Sequence, residues 1–243
     1  MDADVFQVQS PGVDRVLRRL LGSTLGQKAV VAVTGAALVG FAFVHMAGHL
    51  LMFQGAEAYN KYAHTLQSMG ALKWAARGGL LVAVALHVWA SLQLTMRNRA
   101  ARPIDYSDDK WLAASFGART MRLSGPLLLF FIVYHLLHFT VMAVTADGYA
   151  DMEATIDGNL VVADAYGRML SAFSYPALTV LYVGAVGLLG VHLSHGIQSI
   201  FQTLGLNNGT YRPLVRRVGP LLAGIVTAGF AVVPLAILAQ FIR

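Results

Sequence analysis

Hydrophobic positions in this chain come in long unbroken runs, not in alternation. Five apolar stretches of about 20 residues or more are separated by short polar segments. Each is long enough to cross a ~30 Å hydrocarbon core as a helix. The pattern predicts spans over residues 27–53, 71–97, 121–145, 169–204 and 214–241. The fourth run is longer than a membrane, so its end is expected to project into water. Ser23 precedes the first run as a helix N-cap. Asn207-Asn208-Gly209 breaks the chain after the fourth run, and Pro213 opens the fifth. Residues 55–70 are expected to form a loop with a short interfacial helix, and 146–168 an acidic loop. No internal repeat stands out. The chain reads as an all-α membrane protein: one integral membrane domain over 1–243, a five-helix bundle.

Composition strengthens this picture. Of the 243 residues, 56% are hydrophobic and 12% charged, about half the charged share of a soluble domain. Residues 1–20 are polar and basic, with no apolar core, so no cleavable signal peptide is expected there. Cysteine is absent, which excludes disulfides, covalent c-type haem and cysteine-ligated clusters within the chain.

The net charge of +6 does not point to nucleic acid, because the basic residues lie in short segments between spans. Their asymmetry has a topological meaning. Thirteen lie on the side of the N-terminus, among them Arg15, Arg18, Arg19, Lys28, Arg102 and Lys110, and five on the other side. This predicts a cytoplasmic N-terminus and an outer C-terminus, in the cytoplasmic (inner) membrane of the cell. Trp74, Trp89 and Trp111 are candidate interface anchors.

Four histidines then stand out. His45, His87, His135 and His192 each lie inside a different apolar run. An ionisable residue at membrane depth is costly and points to function. Imidazole ligates haem iron, and a haem held from both faces needs two imidazoles; four histidines can hold two haems b. Depth, counted along the helices, sorts them. His45 and His135 fall in the outer half of the membrane, His87 and His192 in the inner half, so His45 is expected to pair with His135 and His87 with His192. The layers are expected about six residues apart, on the order of 9 Å. Taken singly, a membrane histidine reads more readily as a packing residue or proton relay; the agreement of all four in two layers favours ligation. His49, His138 and His195 follow a candidate by four or three residues and share its helix face, so each is an alternative ligand or a partner to a propionate or quinone. His64 lies in the outer loop. Gly48 and Gly196 are candidates for macrocycle clearance.

These residues also carry a resemblance. The segments STLGQK at 23–28, FVHMAGHL followed by GAEAYNKYAH, RLSG upstream of VYH, and HLSHGIQSIFQTLGL resemble the five-helix, two-haem cytochrome b anchor of succinate:quinone oxidoreductases and quinol:fumarate reductases. The resemblance covers most of the chain. It implies axial ligands at His45, His87, His135 and His192. It also implies a flavoprotein subunit and an iron–sulfur subunit docked on the cytoplasmic face. Electrons would pass by way of two haems to a quinone, menaquinone being expected, or in the reverse direction for fumarate reduction. An outer quinone site is expected to draw on Glu57, Tyr59 or His64, and an inner one on Ser23 and Lys28. Two other classes compete. One is a cytochrome b subunit of a hydrogenase or formate dehydrogenase. The other is a transporter with a histidine proton or metal path, against which stands the lack of any HExxH motif or intramembrane carboxylate.

Overall fold

The computed structural model describes Gly12, Asp14 and residues 21–101, 116–207 and 209–243. The segments carrying Arg15, Arg18, Arg19, Arg102, Lys110 and Trp111 lie outside the described residues.

Ser23 closes the start of the first helix, its hydroxyl accepting the Gly26 amide hydrogen at 3.0 Å. Helix α1 (Thr24–His49) tightens into a 3-10 turn (Leu50–Gln54). Gly55, at φ +94°, turns the chain into α2 (Ala56–Ser68), a conformation open to glycine because it lacks a Cβ. There follow α3 (Ala71–Ala100), α4 (Phe116–Phe139), a hairpin of β1 (Glu153–Ile156) and β2 (Leu160–Ala163), then α5 (Ala165–Phe173), α6 (Pro176–Thr203) and α7 (Arg212–Leu238). Among the described residues five helices are long and apolar enough to cross a membrane: α1 with its 3-10 extension, α3, α4, α6 and α7. The molecule is an all-α multi-pass membrane protein with a small hairpin outside the spans. Large apolar side chains on the helix surfaces, such as Leu81, Phe130, Val180 and Leu221, are exposed, as lipid-facing positions are.

Two spans differ from the sequence pattern. The third helix ends at Phe139, six residues short of 145. The fourth run is broken: α5 ends at Phe173, and Pro176 starts α6. Proline has no amide hydrogen to continue a helix and forces the residue before it out of the helical region; Tyr175 is extended, at φ −86° and ψ 114°. The first residues of the fourth run fold as α5 against α2, α6 and α7, and α6 continues to Thr203.

The acidic segment 146–168 is ordered as well. Asp157 (φ +52°) and Gly158 (φ +78°) form its hairpin turn, a common use of the Asp-Gly pair. Lys61 on α2 pins that turn through Asp157 at 2.6 Å and also pairs with Glu57 at 2.9 Å. Together, α2, the hairpin, α5 and the C-terminus cap one end of the bundle. A core of Met52, Tyr59, Tyr166, Phe173, Val233 and Ile237 lies beneath them. Asn60, buried on α2, is the tie. Its amide donates to Asp164 at 2.9 Å and accepts the Tyr166 amide hydrogen at 2.9 Å, while Asp164 caps α5 through Gly167. Replacing Asn60 with alanine removes the side-chain partner of the buried Tyr166 amide and is expected to cost about 1–3 kcal/mol. Protease cleavage within 146–164 should accelerate in Asn60→Ala membranes; unchanged resistance would show that the tie is dispensable.

Helices α1 and α6 are central. α1 packs on α3, α6 and α7, and α6 packs on α7, α4 and α1. Among the described residues neither α1 with α4 nor α3 with α6 packs along its length. Neighbouring helices in a packed bundle run 8–10 Å apart, so these two pairs stand farther apart than packed neighbours.

Candidate functional site

Histidines of α1 and α4 meet: the rings of His45 and His135 lie with centroids 6.0 Å apart, at 76° to one another, an edge-to-face arrangement within the usual range for ring pairs. His87 on α3 and His192 on α6 are each met by a neighbouring helix, through Thr34 and Ser124.

The two layers are built differently. In the layer farther from the capped end, each histidine is held by the helix that packs against its own. Thr34 on α1 lies 3.1 Å from His87 Nδ1, and its hydroxyl donates to the Val30 carbonyl at 2.6 Å. Ser124 on α4 lies 3.0 Å from His192 Nδ1. A glycine follows each hydroxyl. A Cβ at Gly35 would meet His87 Cε1 at 3.2 Å, and one at Gly125 would meet His192 Cε1 at 3.9 Å. The layer nearer the capped end is aromatic instead. Phe41 stacks on His45 at 5.3 Å, Phe230 lies 5.8 Å from it, and Phe131, Phe139 and Tyr182 surround His135. Here His45 Nε2 lies 3.3 Å from His49 Nε2, and His49 Nδ1 lies 2.8 Å from the Tyr59 hydroxyl. His135 Nδ1 is buried and has no hydrogen-bond partner among the described residues.

Three helices measure the separation of the layers. Thr34 to His45 on α1 is eleven residues, Ser124 to His135 on α4 is eleven, and Tyr182 to His192 on α6 is ten. At 1.5 Å per residue each gives about 16 Å. This replaces the expected 9 Å, which assumed spans placed by hydropathy alone. Eleven residues also complete three helical turns, so hydroxyl and histidine share one face, with the glycine about 100° round the helix from the hydroxyl. Thr-Gly-x9-His on α1 and Ser-Gly-x9-His on α4 are therefore one device used twice, where the sequence seemed to hold no repeat.

The remaining candidates divide. His138 is buried, with Nδ1 2.8 Å from the Tyr182 hydroxyl, and His195 Nε2 lies 3.2 Å from Ser199; both have local partners. Tyr59 is brought to the histidine layer, and burial raises its phenol above the ordinary range, so it stays protonated at neutral pH. Glu57 is turned outward onto Lys61, and His64 sits half-buried on α2, outside the aromatic cluster. At the opposite end Ser23 is engaged as the cap of α1 and Lys28 is exposed. Gly48 does not provide cofactor clearance: a Cβ there would strike the Tyr62 ring, so its smallness serves α2. At Gly196 nothing lies within 4 Å of a Cβ, and the space is open.

A haem held by two histidines needs facing imidazoles, a slot between helices that do not pack, and partners for the second ring nitrogens. His45 and His135 supply the facing rings, and Thr34 and Ser124 give His87 and His192 a partner for one ring nitrogen each. No group of three or more His, Asp or Glu side chains among the described residues is arranged to hold a metal ion; a bis-histidine centre uses two. Comparison with family models, curated proteins and solved structures returns no match to this chain.

Proposed function

We propose that the chain is a di-haem cytochrome b subunit of the membrane, the anchor and electron-transfer subunit of a succinate:quinone oxidoreductase or quinol:fumarate reductase. The observation that supports the haem part is that His45 and His135, on two helices that do not pack along their length, bring their rings within 6.0 Å, while His87 and His192 are each held by a hydroxyl from a neighbouring helix. The complex part rests on the resemblance of STLGQK, FVHMAGHL, RLSG and HLSHGIQSIFQTLGL. Haem iron, when bound, supplies a one-electron carrier.

The residues have separate tasks. His45 and His135 hold one centre near the capped end, and His87 and His192 the other. At about 16 Å apart the layers divide a ~30 Å core into two short steps. Aromatic side chains keep water from the capped layer, and Tyr59 with His49 links it to the cap. That link makes Tyr59 the strongest of the outer quinone candidates, since Glu57 and His64 are not part of it. The distribution of Lys and Arg places the capped end outside, and the opposite face toward a flavoprotein and an iron–sulfur partner, with menaquinone as the acceptor.

Gentle solubilisation and capture on a tag after Arg243 is expected to recover two soluble subunits carrying flavin and iron–sulfur clusters. Recovery of a hydrogenase or formate dehydrogenase subunit would overturn the assignment. An enzyme reporter fused after Arg243 is expected to be active only outside the cytoplasm; cytoplasmic activity would reverse the docking face.

A further inference from the structure

A neutral imidazole carries one proton on one of its two nitrogens, and only the bare nitrogen can bind a metal. What fixes the choice for His87 is visible in the bonding of Thr34. A threonine hydroxyl has a single hydrogen. At Thr34 that hydrogen is committed to the Val30 carbonyl, 2.6 Å away, in the helix's own backbone. Toward His87 Nδ1, at 3.1 Å, the hydroxyl oxygen can then only accept. Nδ1 must be the protonated nitrogen, and Nε2 is left bare. Ser124 stands in the corresponding place. Its hydroxyl lies 3.0 Å from His192 Nδ1, with the Met121 carbonyl at 3.4 Å as a longer contact for its hydrogen. Ser124 is fully buried, so water cannot replace it. Gly35, next to Thr34, lets the His87 ring approach; at Gly125 a Cβ would make only ordinary contact with His192. The capped layer has no such bracket: His45 meets another imidazole, and His135 Nδ1 has no hydrogen-bond partner among the described residues.

We propose that Thr34 and Ser124 are positioning residues that lock His87 and His192 in the Nδ1–H tautomer, aim both Nε2 atoms into the space between α3 and α6, and set the redox potential of the centre bound there. The inference rests on the di-haem proposal above. An acceptor on Nδ1–H increases the electron density that the ring gives the metal and so favours the oxidised ion. Removing the acceptor has the opposite sign. The effect belongs to one layer, because the bracket does.

Redox titration of the intact complex, followed by visible absorption, tests this. Thr34→Val keeps the shape of the side chain and removes the hydroxyl. It is expected to keep both haems low-spin and to raise the midpoint of one only. At fixed ambient potential the oxidised-to-reduced ratio of that haem should fall about tenfold, or 59 mV for one electron. Thr34→Ser restores the hydroxyl and should restore the midpoint. Ser124→Ala should move the same haem in the same direction, and it also serves if Thr34→Val fails to assemble. An unchanged midpoint in Thr34→Val or Ser124→Ala, or an equal shift of both haems, would overturn the inference while leaving two haems in place. A wild-type complex without haem would overturn the di-haem proposal itself, and the inference with it.

Discussion

Replacing His45 or His135 with alanine is expected to remove one haem and leave the other spectrally intact, and replacing His87 or His192 should remove the complementary one. The pairs lie about 16 Å apart along the helices, and among the described residues no side chain of one layer replaces a lost ligand in the other. One imidazole does not keep a six-coordinate low-spin haem, so haem content should fall from about two to about one per chain. The difference spectra of the two groups of variants should be complementary. If the quinone site lies at the capped end, the His45 and His135 variants should retain succinate oxidation with a soluble dye and lose quinone reduction. Their full quinone turnover would move the site to the other end, near Ser23. Loss of the same haem in His45→Ala and His87→Ala would refute the pairing. His49 is the control: Nε2 of His49 lies 3.3 Å from that of His45, and His49→Phe should keep both haems.

Gly35 is expected to be as sensitive as a ligand. A Cβ there already stands 3.2 Å from His87 Cε1, a separation that requires the ring to give by a few tenths of an ångström. Gly35→Ala is expected to weaken the farther centre, and Gly35→Leu to displace the imidazole and remove that haem alone. Crowding of a packed interior costs about 1–3 kcal/mol, enough to lower occupancy about tenfold or more. Gly78→Ala, where nothing lies within 4 Å, should leave haem content unchanged. Retention of both haems in Gly35→Leu would show that His87 does not need this approach.

Much of the architecture is written in hydropathy. Five apolar runs become five spanning helices because lipid leaves a backbone no partner but itself. The contact of the His45 and His135 rings agrees with their common depth, since topology turns position into height. Packing details are not legible in the same way. The break of the fourth run depends on Pro176 acting as a helix start, and hydropathy is blind to it because the flanking residues are apolar on both sides. The hairpin was signalled by Asp157-Gly158, but its strands are short and flanked by carboxylates. Gly48 looks like cofactor clearance from sequence because it lies three residues from His45; only the position of Tyr62 reveals its purpose. Thr34 was hidden for another reason. A lone threonine in an apolar run is unremarkable until Thr-Gly-x9-His is seen again as Ser-Gly-x9-His on α4. His49 is separated from Tyr59 by ten residues and a turn at Gly55, and nothing local predicts their contact.

The most direct test is the haem content of the purified protein in its membrane complex, measured by extraction as the pyridine haemochrome and set against protein by amino-acid analysis. Two non-covalent haems b per chain, both low-spin, are expected from two histidine pairs, each on two helices that do not pack along their length. A preparation with intact helices, expressed with haem in excess, that carries none would contradict the account at its centre.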